Sequence, residues 1–319
     1  MSMQIIAPGF YDIPEADYHA DPVKEPSLSN SIAKVMVNES PLHAWGEHSR
    51  LNPHYQATHK SAFDLGSTCH GLLLDQEDNY CPIDHPDWRT KDAKEQREQA
   101  HDSGRIPLLK KDFDRAREMA DSARRQLKYH EDAACFLMNT CHSERTMVWQ
   151  EQNGVWCRSR IDRMTAKSSI VFDYKTTAQG AHPDKWGGRT LYDHGCDMQD
   201  AFYSRGIKTL TGVEPAFLFV VQETTPPYAL SVISMTPVGK AIGNVKVERA
   251  IAMWDWCTKH NKWPGYPNKT AYVDPPIWQQ REWIDEGGEG TSTSHEETKS
   301  IFRSWEKAQA PINENKEAS

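Results

Sequence analysis

A chain of 319 residues can bury a sizeable core, and no apolar run in it approaches the length of a membrane span. The formal net charge of −8 argues against a generic nucleic-acid binder, although a DNA enzyme needs only local positive charge and metal-binding carboxylates add to the acidic total. The seven cysteines contain no C-x-x-C pair, which argues against a zinc ribbon, and the first ten residues lack the pattern of a signal peptide. A cytoplasmic protein with reduced thiols is expected.

Taken in order, residues 1–26 read as an irregular, extended arm packed on the domain. Ser29 or Asn30 can cap a helix carrying Ile32, Val35, Met36 and Leu42, with Pro41 breaking or restarting it. Residues 61–75 predict a helix whose buried side holds Phe63, Leu65 and Leu72 to Leu74, and Gly66 and His70 share one of its faces. Residues 81–107 are polar and read as a solvated helix or loop. Residues 111–130 are a clear amphipathic helix through Phe113, Ala116, Ala120, Ala123 and Leu127.

Residues 144–175 carry the chemistry. Two alternating runs flank Asn153-Gly154, which predicts a hairpin closed by a type I′ turn. Period two sends Arg158, Arg160 and Asp162 to one face and Val155, Cys157 and Ile161 to the other. A third strand carries Asp173, Tyr174 and Lys175, with Asp173 and Lys175 on one face. If the strands are neighbours, Asp162 lies beside Asp173 with Lys175 at the rim. Two carboxylates and an ammonium there suit a divalent cation and an attacking water. Residues 178–195 form a loop containing His182, Trp186, Arg189, Tyr192 and His194. The next helix, 196–210, puts Gln199 and Tyr203 on one face by i, i+4 spacing. Strands at 216–222 and 228–234 follow. A long helix at 236–260 has Val238, Ile242, Val245, Ile251 and Trp254 on its apolar side, and a Pro/Trp-rich stretch then wraps the surface. From residue 285 the composition shifts to an acidic Gly/Ser/Thr linker, with Ile301, Phe302 and Trp305 in a short amphipathic segment near the end.

The ordered set His70, Asp162, Asp173, Lys175, Gln199 and Tyr203 resembles the RecB-type branch of the PD-(D/E)xK nucleases. The upstream G-x-x-x-H, the D-x-K core, the downstream Q-x-x-x-Y, the LSNSIAKVMVNESPLHAW segment and the RTK motif at Arg89 to Lys91 are most similar to exonuclease VIII-type (RecE) nuclease domains of phage or prophage origin. Ile161 replaces the proline before the first aspartate, and Asp173 replaces the glutamate before x-Lys. Neither change loses a carboxylate.

The resemblance implies a three-layer, restriction-endonuclease-like α/β fold with a mixed central sheet. It implies a catalytic domain over residues 1–284, a core at about 61–235, and a tail at 285–319. His70, Asp162, Asp173 and the Tyr174 carbonyl would hold Mg²⁺, or Mn²⁺, with Glu144 as an additional candidate. Lys175 would position the water and stabilise charge, and Gln199 and Tyr203 would hold the lysine or the DNA strand. Arg89, Lys91, Arg158, Arg160, Trp186 and Arg189 are candidates for DNA contact. No iron–sulfur cluster is expected, because the clustered cysteines of such relatives are missing. The implied activity is 5′ to 3′ degradation of linear double-stranded DNA, leaving a 3′ strand for a single-strand annealing recombinase, by a homo-oligomer that can form a ring. A single-strand exonuclease, a structure-specific endonuclease and a non-cleaving DNA-end or phage interaction protein are the alternatives.

Overall fold

In the computed structural model, which describes residues 4–56, 65–74 and 77–285, the N-terminal arm does pack on the domain. It supplies β1 (Gly9–Tyr11), α1 (Glu15–His19) and β2 (Leu28–Ser29). Ser29 caps α2 (Asn30–Asn38): its Oγ accepts the Ile32 N–H at 3.4 Å, satisfying a donor that a helix start leaves open. Ser40 does the same for α3 (Pro41–Gly46), whose first turn tolerates proline because that missing N–H has no helical partner anyway. The expected helix therefore does restart at Pro41.

The helix carrying His70 is α4 (Leu65–Leu73); Phe63 and Asp75, assigned to it from sequence, lie outside the described residues. The polar stretch after it contains more order than its pattern suggests. β3 (Tyr80–Ile83) and β4 (Ile106–Leu109) pair in parallel as a separate two-stranded sheet, and α5 (Lys91–Asp102) connects them. Each strand has four residues and a proline, too short for an alternation to register. α6 (Lys110–Lys128) buries Phe113, Ala116, Met119, Ala120, Ala123 and Leu127, as its period requires.

Next come the hairpin strands β5 (His142–Gln150) and β6 (Trp156–Met164), then β7 (Ile170–Thr177). The hairpin is as expected, but its turn differs. Gly154 donates its N–H to the Glu151 carbonyl, and only Gly154, at φ +92°, lies in the left-handed region. A type I′ turn needs positive φ at both central residues, so this is a longer loop with glycine taking the left-handed step. After β7 the chain forms α7 (Pro183–Lys185), a π-turn at Trp186–Thr190, α8 (Leu191–Asp193) and α9 (Cys196–Thr211). Strands β8 (Ala216–Glu223) and β9 (Leu230–Ile233), then helices α10 (Pro237–His260) and α11 (Ile277–Asp285), complete the described chain.

The main sheet runs β1-β5-β6-β7-β8-β9, with β2 pairing in parallel along part of β6. β7 and β8 are parallel and joined through α9; the remaining neighbours are antiparallel. Helices cover both faces. Val171, Phe217, Phe219 and Val221 pack with α2, α9 and α10, whereas Phe172, Tyr174 and Val220 pack with α4 and α6. This alternation along β7 and β8 produces the three-layer α/β fold with its mixed central sheet. α9 lies close to β5: a Cβ on Gly206 would fall 2.5 Å from Met147 Cε and 2.8 Å from Trp149 Cε3.

The apolar side assigned to α10 needs correcting in its first half. Val238, Ile242 and Val245 are exposed, and Gly239, Gly243 and Val247 face inward instead. Small residues are needed where α10 crosses the start of α9, since a Cβ on Gly243 would fall 2.1 Å from the Asp197 carbonyl oxygen. Ile251 and Trp254 are buried as expected. The linker and the amphipathic segment containing Ile301, Phe302 and Trp305 lie outside the described residues. Among the described residues no helix is long and apolar enough to cross a membrane.

Candidate active site

Strand β6 gives its outer edge to two neighbours. β2 pairs with Cys157 and Arg158, and β7 pairs only with Arg163 and Met164. Beyond that short contact β7 leaves β6, and Asp162 fills the opening. Its Oδ2 accepts the backbone N–H of Tyr174 at 2.9 Å, replacing the ladder bond that the divergence removes. The N–H and C=O of one strand residue face the same edge, so the Tyr174 carbonyl is directed to this opening as well.

On the inner edge of β6 the ladder pairs Ser143 with Arg163 and Arg145 with Ile161. Glu144 stands between them at φ +52°, an uncommon conformation for a residue with a Cβ. Such strain gathers at sites where the surroundings force a side chain into place. Arg160 is the enforcing partner: its Nε is 2.5 Å from Glu144 Oε2, and its Nη1 donates to the Ile13 carbonyl at 3.0 Å.

His70 reaches the same opening from α4. Its Nε2 is 3.1 Å from Asp162 Oδ2 and its Nδ1 is 3.6 Å from Glu144 Oε1. One ligand atom each from His70, Glu144 and Asp162 lies within 4.8 Å of the other two. Asp173 belongs to an adjoining group. Lys175 Nζ is 2.5 Å from its Oδ2, and Gln199 Nε2 donates to its Oδ1. Gln199 sits in the first turn of α9, with Tyr203 one turn further on. The geometry thus gathers all six motif residues while dividing them. His70, Glu144 and Asp162 form a ligand-type trio, and Asp173 is held by Lys175 and Gln199.

Charges here are only partly balanced. Burial, then the Asp162 carboxylate, raises the Glu144 pKa above its ordinary range, against the pull of His70 and Arg160. Burial opposes a charged His70, but Asp162, Glu144 and Asp173 outweigh it and lift the imidazole pKa to about 9. Burial also works against an ionised Asp162, yet His70, Lys175 and the Tyr174 N–H hold its pKa below the usual value. Asp173 goes the other way, raised by burial and by Asp162 despite Lys175. Burial alone would depress Lys175, but Asp173 and Asp162 keep its pKa above that of an ordinary lysine. Its ammonium is therefore charged at neutral pH.

The trio passes a simple test for a divalent cation. Burial and the neighbouring Asp162 carboxylate together raise the Glu144 pKa, and the trio's donors are one imidazole nitrogen and carboxylate oxygens, a set that such ions accept.

Three of the residues assigned to DNA contact are corrected. Arg158 is 5% exposed; it lies 3.2 Å from Asp21 Oδ1 and donates to the Ser27 carbonyl at 2.6 Å, so it secures the N-terminal arm. Arg160 is occupied with Glu144 and Ile13. Trp186 is 3% exposed and packs on Phe219, because its π-turn folds back on the sheet, so its ring is not available to a base. Arg89, Lys91 and Arg189 are exposed, each near a carboxylate of its own: Asp87 at 3.7 Å, Glu95 at 3.4 Å and Asp193 at 3.1 Å.

Sequence reasoning missed the supports. Tyr174 turns its ring away from the opening and donates its hydroxyl to Gln222 Oε1 at 2.5 Å, with Cys69 Sγ at 3.1 Å. Gln222 donates to the Met119 carbonyl at 2.9 Å, so α4, α6, β7 and β8 are tied beneath the site. The polar residues on these otherwise apolar elements were the signal available.

Residues 29–276 match the family model described as a PDDEXK-like domain of unknown function (DUF3799), and the chain belongs to that family. A crystal structure from Eubacterium rectale, described as a "Putative exonuclease", is similar with a TM-score of 0.53 at 14% identity. The similarity covers 85% of this chain and 98% of that one, and shows a shared fold. No curated protein matches the chain. The expected class, a PD-(D/E)xK-type fold, is therefore established, and family and fold together support a nuclease.

Proposed function

We propose that this protein is a metal-dependent deoxyribonuclease that acts as an exonuclease on the ends of linear double-stranded DNA, 5′ to 3′. The observation that carries the reading is Asp162 at the fork of β6 and β7, holding the Tyr174 N–H beside His70 and Glu144, with Lys175 next along the strand.

His70, Glu144 and Asp162 would hold the cation, Mg²⁺ or Mn²⁺, with the Tyr174 carbonyl and Asp173 at the same opening. Bound there, it would polarise a phosphate oxygen and lower the pKa of a coordinated water. The chain's own groups do the rest. Lys175, charged beside Asp173 and Asp162, donates hydrogen bonds to the attacking water or the phosphate and balances developing negative charge. Gln199 fixes Asp173 and thereby the lysine beside it, with Tyr203 one turn along α9 on the same face. Arg160 keeps Glu144 aimed at the opening. The exposed Arg89, Lys91 and Arg189 would meet phosphates further out. By the same resemblance the reading includes a homo-oligomer, a phage or prophage setting and delivery of a 3′ strand to an annealing recombinase.

Linear duplexes labelled at the 5′ or the 3′ end, incubated with Mg²⁺ beside a covalently closed circle, test the proposal. EDTA and the Lys175→Ala protein are the controls. Early release of the 5′ label from linear DNA alone, abolished by both controls, is expected. Cutting of the circle would replace the exonuclease by an endonuclease. Duplex binding without cleavage in any metal would replace it by an end-binding protein.

A further inference from the structure

Lys34 is a cation that the motif residues do not account for. It lies in the second turn of α2 and is half-buried. Its stem rests on Gly195, the residue that starts α9: a Cβ there would meet Lys34 Cδ and Cε at 3.0 Å each. Gly195 has φ +61°, so glycine serves both the left-handed backbone and the close approach of the lysine. Lys34 Nζ donates to the His194 carbonyl at 2.9 Å. That uses one of its three donors, and among the described residues no carboxylate lies within ion-pair distance of it.

Among the described residues no carboxylate is committed to Lys34 itself. Burial lowers the Lys34 pKa first, and the Lys175 ammonium lowers it further; Cys196, Asp173 and Asp197 oppose this. Asp173 is already engaged by Lys175 and Gln199, and Asp197 by Lys246 at 2.6 Å. The first turn of α9 begins at the same place without a side-chain cap. Lys34, which has no carboxylate of its own among the described residues, therefore lies beside the Lys175 ammonium and an uncapped helix start. A purely structural lysine would be cheaper as a neutral hydrogen-bond donor, whereas a phosphodiester would supply the missing charge.

We propose that Lys34 binds a backbone phosphate of the strand engaged by the site, adjacent to the phosphate that Lys175 faces. The inference rests on the nuclease reading and adds a substrate-binding residue from outside the motif set. It also assigns α2 to the substrate-binding wall, on the opposite side of Lys175 from His70.

The test is equilibrium binding of a fluorescent linear duplex, read by anisotropy with Ca²⁺ in place of Mg²⁺ at several salt concentrations. Wild type, Lys34→Gln, Lys34→Met and Lys34→Arg are compared, each with its melting temperature. Loss of one phosphate contact predicts that the slope of log K against log salt becomes shallower by about 0.7–0.9 in Lys34→Gln and Lys34→Met, and about tenfold weaker binding at low salt. Lys34→Arg is expected to keep the wild-type slope. A lower melting temperature with an unchanged slope would make Lys34 only a stopper for the His194 carbonyl and overturn the inference alone. Wild-type protein that neither binds nor cuts DNA would overturn the nuclease reading, and this inference with it.

Discussion

Strand β6 carries two charged clusters only a few residues apart, and they are built on opposite plans. At Arg158 the guanidinium meets Asp21, the Ser27 carbonyl and the Ser27 hydroxyl. Asp21 also accepts from the Ser27 N–H at 2.9 Å, and all three residues are buried. His48 joins them as a neutral ring: Nε2 donates to the Ser27 carbonyl at 3.1 Å and Nδ1 accepts the Arg50 N–H at 3.2 Å. Nearly every donor has its acceptor, so the cluster has no capacity left for a ligand. At Asp162 two carboxylates stand together with one imidazole, partly open to solvent, on a backbone bent by a left-handed glutamate. One cluster is saturated and holds the arm to the sheet. The other is under-compensated and is the one that can accept an ion and a phosphate.

The contrast breaks most visibly at its closed end. Arg158→Met leaves Asp21 buried without its guanidinium and is expected to cost about 3–5 kcal/mol, read as a lower urea midpoint, with activity lost only in proportion to unfolded protein. At the open end Asp162→Asn is expected to do the reverse. Cleavage falls by about 10²–10³-fold, equivalent to about 3–4 kcal/mol in the barrier, while the melting temperature falls only modestly, because His70, Lys175 and the Tyr174 N–H favour the ionised carboxylate that the amide replaces.

A pH series sharpens the comparison. Burial, with Arg158 beside it, lowers the His48 pKa from 6.5 to about 4, against the pull of Asp21 and Ser27. Between those values the unfolded chain binds more protons than the folded one. The stabilising effect is therefore full above pH 6.5 and is lost as pH falls through 4, by about 3 kcal/mol in total. Denaturation midpoints measured from pH 7 to pH 4 should show this decline, and His48→Gln should flatten it. The smallest effect belongs to neither cluster. Gly154→Ala forces a Cβ into φ +92° at the hairpin tip and is expected to cost about 1 kcal/mol with cleavage unaltered.

The parts of the site readable in the sequence are those whose geometry is local. Asp173 and Lys175 share a strand face, Gln199 and Tyr203 share a helix face, and Asn153-Gly154 pairs β5 with β6, whereas Asp162 lies near Asp173 only because β6 and β7 are neighbours. Partners chosen by tertiary packing were not readable. Arg158, Arg160 and Asp162 have the same strand parity, yet one bonds to Asp21 on the arm, one orients Glu144 and one faces the opening. Trp186 looks like a loop aromatic until the π-turn is known to fold inward. On α10 the period is correct, but burial is decided by where α9 crosses it, and the crossing selects Gly239 and Gly243 over Val238 and Ile242. The four-residue strands β3 and β4 are below the length at which any pattern shows.

The recognisable family segment starts at residue 29, but the packing that supports it begins earlier in the chain. β1 zips onto β5, Ile5 and Val23 fill a small core with Val148 and Trp156, and Asp21 neutralises Arg158. An expression fragment trimmed to the family boundary would delete all three and strand a guanidinium inside the sheet. The point at which the domain can be cut is thus set by an ion pair rather than by the extent of its ancestry. Fusion partners and tags belong ahead of Ile5.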